Sequence, residues 1–259
     1  MSLRGSDIAV DFGGVRALRG VSIEIGTAKV TSIVGPNGAG KTTLFNCLTG
    51  YVKPTSGTIV LEGADISRLS PHHRARAGLS RTFQTPRVDL ETDVLTAAAL
   101  GAYTQYRPAI LGSILAAPGV RRGEREVEQT ARFALERVGL QDFAKRRAGE
   151  LSLAHVRLLE VARAIVGNPR FILLDEPAAG LAPSDHGRLG ETLRNLCEDG
   201  MGVMLIEHNL EFVASVSESI SVLHRGQLIF EGGTDEFRNA QEVRDAFVGR
   251  TTERPEAAK

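Results

Sequence analysis

The stretch "KVTSIVGPNGAGKTTLFNCLTG", Lys29 to Gly50, constrains the fold of this chain more than any other. A short apolar run enters a glycine-rich turn, and a helical pattern begins at once. Gly35 to Thr42, "GPNGAGKT", fits G-x-x-x-x-G-K-[ST] in the strand–turn–helix context that the pattern requires. Gly35, Gly38 and Gly40 let backbone N–H groups point inward, with Pro36, Asn37 and Ala39 completing the turn. The helix N-terminus adds partial positive charge, so the loop is built to cradle phosphate. Lys41 then reaches the β- and γ-phosphates, Thr42 offers its hydroxyl to Mg²⁺, and Thr43 belongs to the same binding turn. A chance glycine-rich turn and a dinucleotide loop are the alternatives, and the glycine order is not the G-x-G-x-x-G of the latter.

A second apolar strand, "FILLDE", delivers Asp175 at its carboxyl end, where it can hold Mg²⁺ through water. Glu176 follows, placed to orient and deprotonate an attacking water. Gln84 in "RTFQ" and His208 in "LIEH" also stand at strand ends. Taken alone they read equally as a loop amide and a surface imidazole. In one parallel sheet, strand carboxyl ends converge on a single crevice, which draws both toward Lys41 and Asp175.

The rest of the pattern supplies such a sheet. "SDIAVDF" and "GVSIEIG" read as two alternating strands, which suggests an antiparallel β edge, while "GTIVLEG", "GLSRTFQ" and "GVMLIEH" read as further strands. "ISVLHRGQLIFEG" reads as a hairpin turning at Arg225-Gly226. From about residue 88 to 166 the chain reads as mainly helical, with "REVEQTARFALERVGL" as its clearest amphipathic helix. Strands alternating with helices imply an α/β fold with a mostly parallel sheet. In "ELSLAHVRLLEVARAIVGNP", Ser152 caps a helix that Gly167 and Pro169 end. That helix start can support a core, and it can also face an anion.

With 42% hydrophobic and 24% charged residues, the chain can bury a proper core. Lys plus Arg is 31 and Asp plus Glu is 31, so bulk charge advertises no nucleic-acid partner. Cys47 and Cys197 read as buried reduced thiols. "MSLRGSDIAV" lacks the apolar core of a secretory signal, and the run between Pro108 and Pro118 is too short for a bilayer. The chain reads as soluble and cytoplasmic.

From about Leu3 to Gly249 the set resembles the ATP-binding subunit of an ABC transporter. "GPNGAGKT" corresponds to Walker A, Gln84 to the Q-loop, "LSLAH" to the signature segment, "FILLDE" to Walker B, "AAGLAP" to the D-loop, and His208 to the switch histidine. Phe12 in "VDFGGVRAL" stands where the family stacks an aromatic on adenine, its other reading being an edge-strand core residue. The resemblance implies a P-loop NTPase core of the ABC type over about 1–87 and 167–250, a helical subdomain over about 88–166, and a polar tail, 251–259. It implies ATP and Mg²⁺ at the site, with Gln84 near the metal. It also implies two transmembrane permease subunits, a second ATPase subunit, an indirectly engaged substrate-binding protein, and a place on the cytoplasmic face of the membrane. "PHHRARAGLSRTFQTPRV", "ERVGLQDFAKRRAGELS", "DEPAAGLAP" and "EGGTDEFRNAQEVRDAFVGR" look like importers of branched-chain amino acids. The segment after Gln84, with Pro86 and Arg87, lies where the family docks membrane partners, and reads equally as a plain loop.

One motif departs. The family pattern is Leu-Ser-Gly-Gly-Gln, and here Leu151, Ser152, Leu153, Ala154 and His155 stand instead. In this family one subunit's signature covers the nucleotide on the other subunit's Walker A, so Ser152 is expected on the partner's nucleotide. Ala154 would add a methyl beside the γ-phosphate, and His155 replaces the Gln amide. All Walker-side residues are kept, an asymmetry that suits a heterodimer, with a homodimer as the alternative. A regulatory subunit that binds ATP without turning it over, and a soluble ATPase of DNA repair or translation, are the competing functions. The span from Lys41 to Asp175 is too short for the coiled-coil insertion of the repair types, and the chain holds one cassette rather than two.

Overall fold

The computed structural model describes residues 1–82, 88–104 and 118–248. Gln84, Pro86, Arg87, most of the apolar run after Pro108 and the polar tail lie outside the described residues. Three strands, β3 (Val30–Val34), β7 (Phe171–Asp175) and β8 (Gly202–Ile206), are buried at every position. With β6 (Leu79–Arg81), β9 (Ser219–His224) and β10 (Gln227–Gly232) they form a six-stranded sheet, ordered β10-β9-β3-β8-β7-β6. Every pairing in it is parallel except β9 with β10.

The antiparallel part is more than an edge. β1 (Ser2–Phe12), β2 (Val15–Gly26), β4 (Ser56–Leu61) and β5 (Ala64–Asp65) make a sheet of their own, ordered β2-β1-β4-β5. Two separate sheets arise because α1 (Lys41–Thr49) lies in the apolar layer between them. Leu44, Phe45 and Leu48 of α1 share one core with Leu3, Ile8 and Ile59 of the antiparallel sheet and with Ile33, Leu173 and Met204 of the parallel one.

The parallel strands alternate their side chains between two cores, as a strand covered on both faces must. Ile172, Leu174, Val203 and Leu205 point the other way, into a core shared with the helices. That layer holds α3 (Val94–Ala99), α4 (Pro118–Arg137), α5 (Leu153–Ile165), α6 (Pro183–Glu198) and α7 (Leu210–Val216). Helices from the 88–166 stretch thus share one continuous core with the sheet. The end of the chain adds α8 (Thr234–Asn239) and α9 (Gln241–Val248).

The expected cap at Ser152 and the expected hairpin turn are present. Ser152 accepts from the His155 N–H, and the β9–β10 hairpin turns at Arg225 and Gly226, both at positive φ (49° and 78°). The C-terminus of α1 is closed by Arg74 of α2 (Pro71–Arg76), a fully buried guanidinium that donates to the Cys47 and Leu48 carbonyls at 2.6 and 2.7 Å. Cys47 and Cys197 are free and buried. Among the described residues no helix is long and apolar enough to cross a membrane.

Candidate nucleotide site at the carboxyl end of the parallel sheet

The loop after β3 is held by what surrounds it. Gly35 has φ 153°, and a Cβ there would stand 2.0 Å from the Leu223 carbonyl oxygen of β9. Gly40, at φ 106°, would meet the Ala17 carbonyl at 2.8 Å. The Gly226 N–H, from the hairpin turn, donates to the Ala39 carbonyl at 2.9 Å. The glycines are therefore required by close backbone approach as well as by conformation. Asn37 and Gly38 are exposed at the loop tip, and Thr42 is exposed at the start of α1.

Lys41 is buried, and its Nζ donates to the Gly35 and Pro36 carbonyls at 2.7 and 3.1 Å. Burial pushes its pKa down, opposed by the charges of Glu176 and Asp175. Asp175 is also buried, and its N–H donates to Thr82 Oγ1 at 3.3 Å. Burial, then the adjacent Glu176 charge, pushes the Asp175 carboxyl up, while Arg81, Lys41 and His208 pull it down. Strands β3, β7 and β8 have thus brought a buried cation and a carboxylate pair into one electrostatic cluster. A phosphate oxygen could take over the Lys41 donors now spent on loop carbonyls.

Glu176 leaves β7 in the left-handed region, φ 51°, its N–H donating to the Ile206 carbonyl at 2.9 Å. A non-glycine residue there is uncommon and costs on the order of 1–3 kcal/mol, which the two flanking strands must hold in place. Its Oε1 lies 2.7 Å from Nε2 of His208, two residues beyond the end of β8. This contact joins two of the sequence-predicted site residues directly.

Sequence reasoning stopped one residue short at Glu207. This acid is buried, its Oε1 accepts from the Ala178 N–H at 2.7 Å, and its Oε2 accepts from the His208 N–H at 3.0 Å. Burial pushes its pKa up, against backbone donors at Ala178, His208 and Asn209. It ties the segment after Glu176 to the backbone of His208. The signal was an acid at the end of an otherwise apolar strand, "LIEH", with no solvent side left to occupy.

Phe12 and Ser152 stand in other surroundings. Phe12 pairs with Val15 across the β1–β2 turn and is 52% exposed, so it is not a core residue. Ser152 is exposed at the N-cap of α5. The Ala154 methyl is buried within its own chain, not presented at the surface. His155 is turned inward as well. Its ring packs on Phe143, with centroids 4.6 Å apart, and its Nε2 lies 2.8 Å from Nη1 of Arg188 on α6.

A strand, a phosphate-type loop with buried lysine, and a carboxylate–imidazole pair on neighbouring parallel strands define the class of P-loop nucleoside triphosphatases. The comparisons narrow the class. The sequence model described as "ABC transporter" matches residues 18–179. The chain is 39% identical over 248 residues to the high-affinity branched-chain amino acid transport ATP-binding protein BraF of Pseudomonas aeruginosa, covering 95% of this chain and 97% of that one. To the LivG protein of Escherichia coli K12, which bears the same description, it is 38% identical, covering 92% and 94%. Its fold matches the crystal structure of the ADP conformation of an ABC transporter's ATP-binding cassette, with TM-score 0.84, 34% identity, and 96% and 99% coverage. The chain belongs to the ABC transporter family, as one of its ATP-hydrolysing cassettes.

Proposed function

We propose that this chain powers the import of branched-chain or related amino acids through ATP-driven closure of a cassette dimer. The His208–Glu176 contact beside buried Lys41 carries the hydrolytic part. The likeness to BraF and LivG over nearly the whole of each chain supports the amino-acid part. On this reading the chain works at the cytoplasmic face of the membrane, with two permease subunits, a second cassette and, indirectly, a substrate-binding protein. Domain roles follow: a nucleotide-binding core over about 1–87 and 167–250, and a helical subdomain over about 88–166 that carries Ser152 to the partner's nucleotide.

Within the site, Phe12 stacks on adenine, and Gly35, Pro36, Asn37, Gly38, Ala39, Gly40, Thr42 and Thr43 surround the phosphates. Lys41 transfers its donors from the Gly35 and Pro36 carbonyls to the β- and γ-phosphates. Glu176 accepts a proton from the attacking water, and His208 holds the Glu176 carboxylate in position through Nε2. The donor set fits Mg²⁺. Thr42 supplies an exposed hydroxyl, and Asp175 is a carboxylate held up by burial and by Glu176, so a cation would relieve it. Among the described residues no group of three or more His, Cys, Asp or Glu forms a ready cage, as suits an ion that keeps waters and relies on substrate phosphates. Thr42, Asp175 through water, and Gln84 would hold it, and it would neutralise phosphate charge.

Steady-state ATP hydrolysis tests the reading. Glu176→Gln should lower turnover at least about 100-fold while leaving ATP binding intact. The chain alone is expected to turn over slowly, and a second cassette with an intact Leu-Ser-Gly-Gly-Gln segment should restore the rate. Fast turnover by the chain alone would replace the heterodimer with a homodimer. Binding without turnover beside every such partner would favour a regulatory subunit.

A further inference from the structure

Where the family pattern has Gln, this chain has His155, and its surroundings fix which way the Ser152 hydroxyl points. A guanidinium can only donate hydrogen bonds. Nη1 of Arg188 lies 2.8 Å from Nε2 of His155, so Nε2 must be the accepting nitrogen. The neutral ring then carries its proton on Nδ1, which lies 3.1 Å from Ser152 Oγ and must donate to it. The His155 backbone N–H donates to the same oxygen at 3.3 Å. Both acceptor positions of the hydroxyl are thereby used from within the chain. Its own proton is directed at neither donor and is left for solvent or for a group outside the chain.

The opposite tautomer would reverse the polarity. With the proton on Nε2, Ser152 would donate to Nδ1 and present a lone pair outward, which repels an anion. Arg188 excludes that state, and it is itself held in place by a second bond, Nη2 to the Gly139 carbonyl at 3.2 Å. The Phe143 ring packs against the imidazole at a tilt, with centroids 4.6 Å apart.

We propose that Arg188 and His155 are positioning residues, which set the His155 tautomer so that the Ser152 hydroxyl acts as a donor to the terminal phosphate of the partner's nucleotide. This deepens the functional reading above and rests on its placement of Ser152.

The test combines imidazole ¹⁵N NMR of the full chain with ATP turnover by whichever cassette pair is active. The wild-type His155 signals should show Nδ1 protonated and Nε2 bare. Arg188→Met should mix the tautomers, and Arg188→Lys, which keeps a donor, should restore the first pattern. Ser152→Ala should lower turnover on the order of 100-fold, and Arg188→Met should lower it about tenfold with Arg188→Lys near wild type. The double variant should be no slower than Ser152→Ala alone, because both changes remove one donor. Thermal melts of the variants, with Arg188→Lys as the folded reference, separate unfolding from misorientation. A wild-type Nε2–H tautomer, or an Arg188→Met loss that adds in full to that of Ser152→Ala, overturns the inference. Unchanged Arg188→Met turnover beside a damaged Ser152→Ala overturns the positioning role alone. Unchanged Ser152→Ala turnover removes Ser152 from the phosphate, and this inference with it, while the Walker-side reading stands.

Discussion

His208 Nε2 lies 2.7 Å from Glu176 Oε1 because two parallel strands end in register. β7 and β8 pair Asp175 with Ile206, so Glu176, one residue on, and His208, two residues on, leave the sheet side by side. Glu176 is turned by its positive φ, and His208 is held by the bond from its N–H to Glu207. Removing the imidazole leaves the carboxylate with a wider choice of rotamers. His208→Ala should lower turnover by about 10- to 100-fold with ATP binding little changed, a split that rapid-quench kinetics beside equilibrium binding would read.

Gly35 and Gly38 predict a contrast within one loop. At Gly35 a methyl would stand 2.0 Å from the Leu223 carbonyl oxygen, and backbone would have to move. Gly38, at φ 78°, has nothing within 4 Å of an added Cβ. Gly35→Ala should abolish nucleotide binding and lower the melting temperature. Gly38→Ala should cost only the left-handed strain, about 1–2 kcal/mol, and leave the packing of the loop against β9 intact. Calorimetry and ATP titration of the two variants would compare them.

Glu207→Gln keeps the shape but turns an NH₂ toward backbone N–H groups that need an acceptor. A buried N–H of Ala178 or His208 then loses its acceptor, at a cost on the order of 1–3 kcal/mol. The variant should unfold at lower denaturant. It should also turn over more slowly than its stability alone requires, since the Glu176–His208 contact rests on this tie.

His155 makes the fold acid-sensitive. Burial, then the Arg188 charge, holds its pKa below the ordinary value, with Asp185 opposing. Arg188, Asp185 and the neutral Phe143 ring are the groups set against it. An unfolded chain takes up this proton near pH 6.5, about the ordinary histidine value, and the folded chain does so only at lower pH. The stabilisation is therefore fully present above the unfolded value and is lost as pH falls through the folded one. Urea midpoints measured from pH 7.5 to 5.0 should fall less steeply for His155→Gln than for the wild-type chain.

Much of the site was legible because its local chemistry is local in sequence. The glycine loop, Lys41 and Asp175 each sit at the end of an apolar run, where backbone geometry needs no distant partner to be guessed. The Arg225-Gly226 turn was legible for the same reason, through its demand for positive φ. Glu207 and Arg188 were not, since each acts on residues from other elements: Glu207 on Ala178 across the sheet edge, and Arg188 on His155 across two helices.

By itself the sequence determined the phosphate loop, the succession of strands and helices, and the family to which they belong, because period and glycine placement act within a few residues. The tertiary structure decided that the antiparallel strands form a second sheet over α1, that Phe12 is exposed, and that Ala154 and His155 turn into their own chain. It also decided the proton position on His155. That follows from one guanidinium 33 residues further along the chain, which can donate but not accept. Hydrogen-bond polarity of this kind passes through contacts in space, and no pattern along the chain carries it.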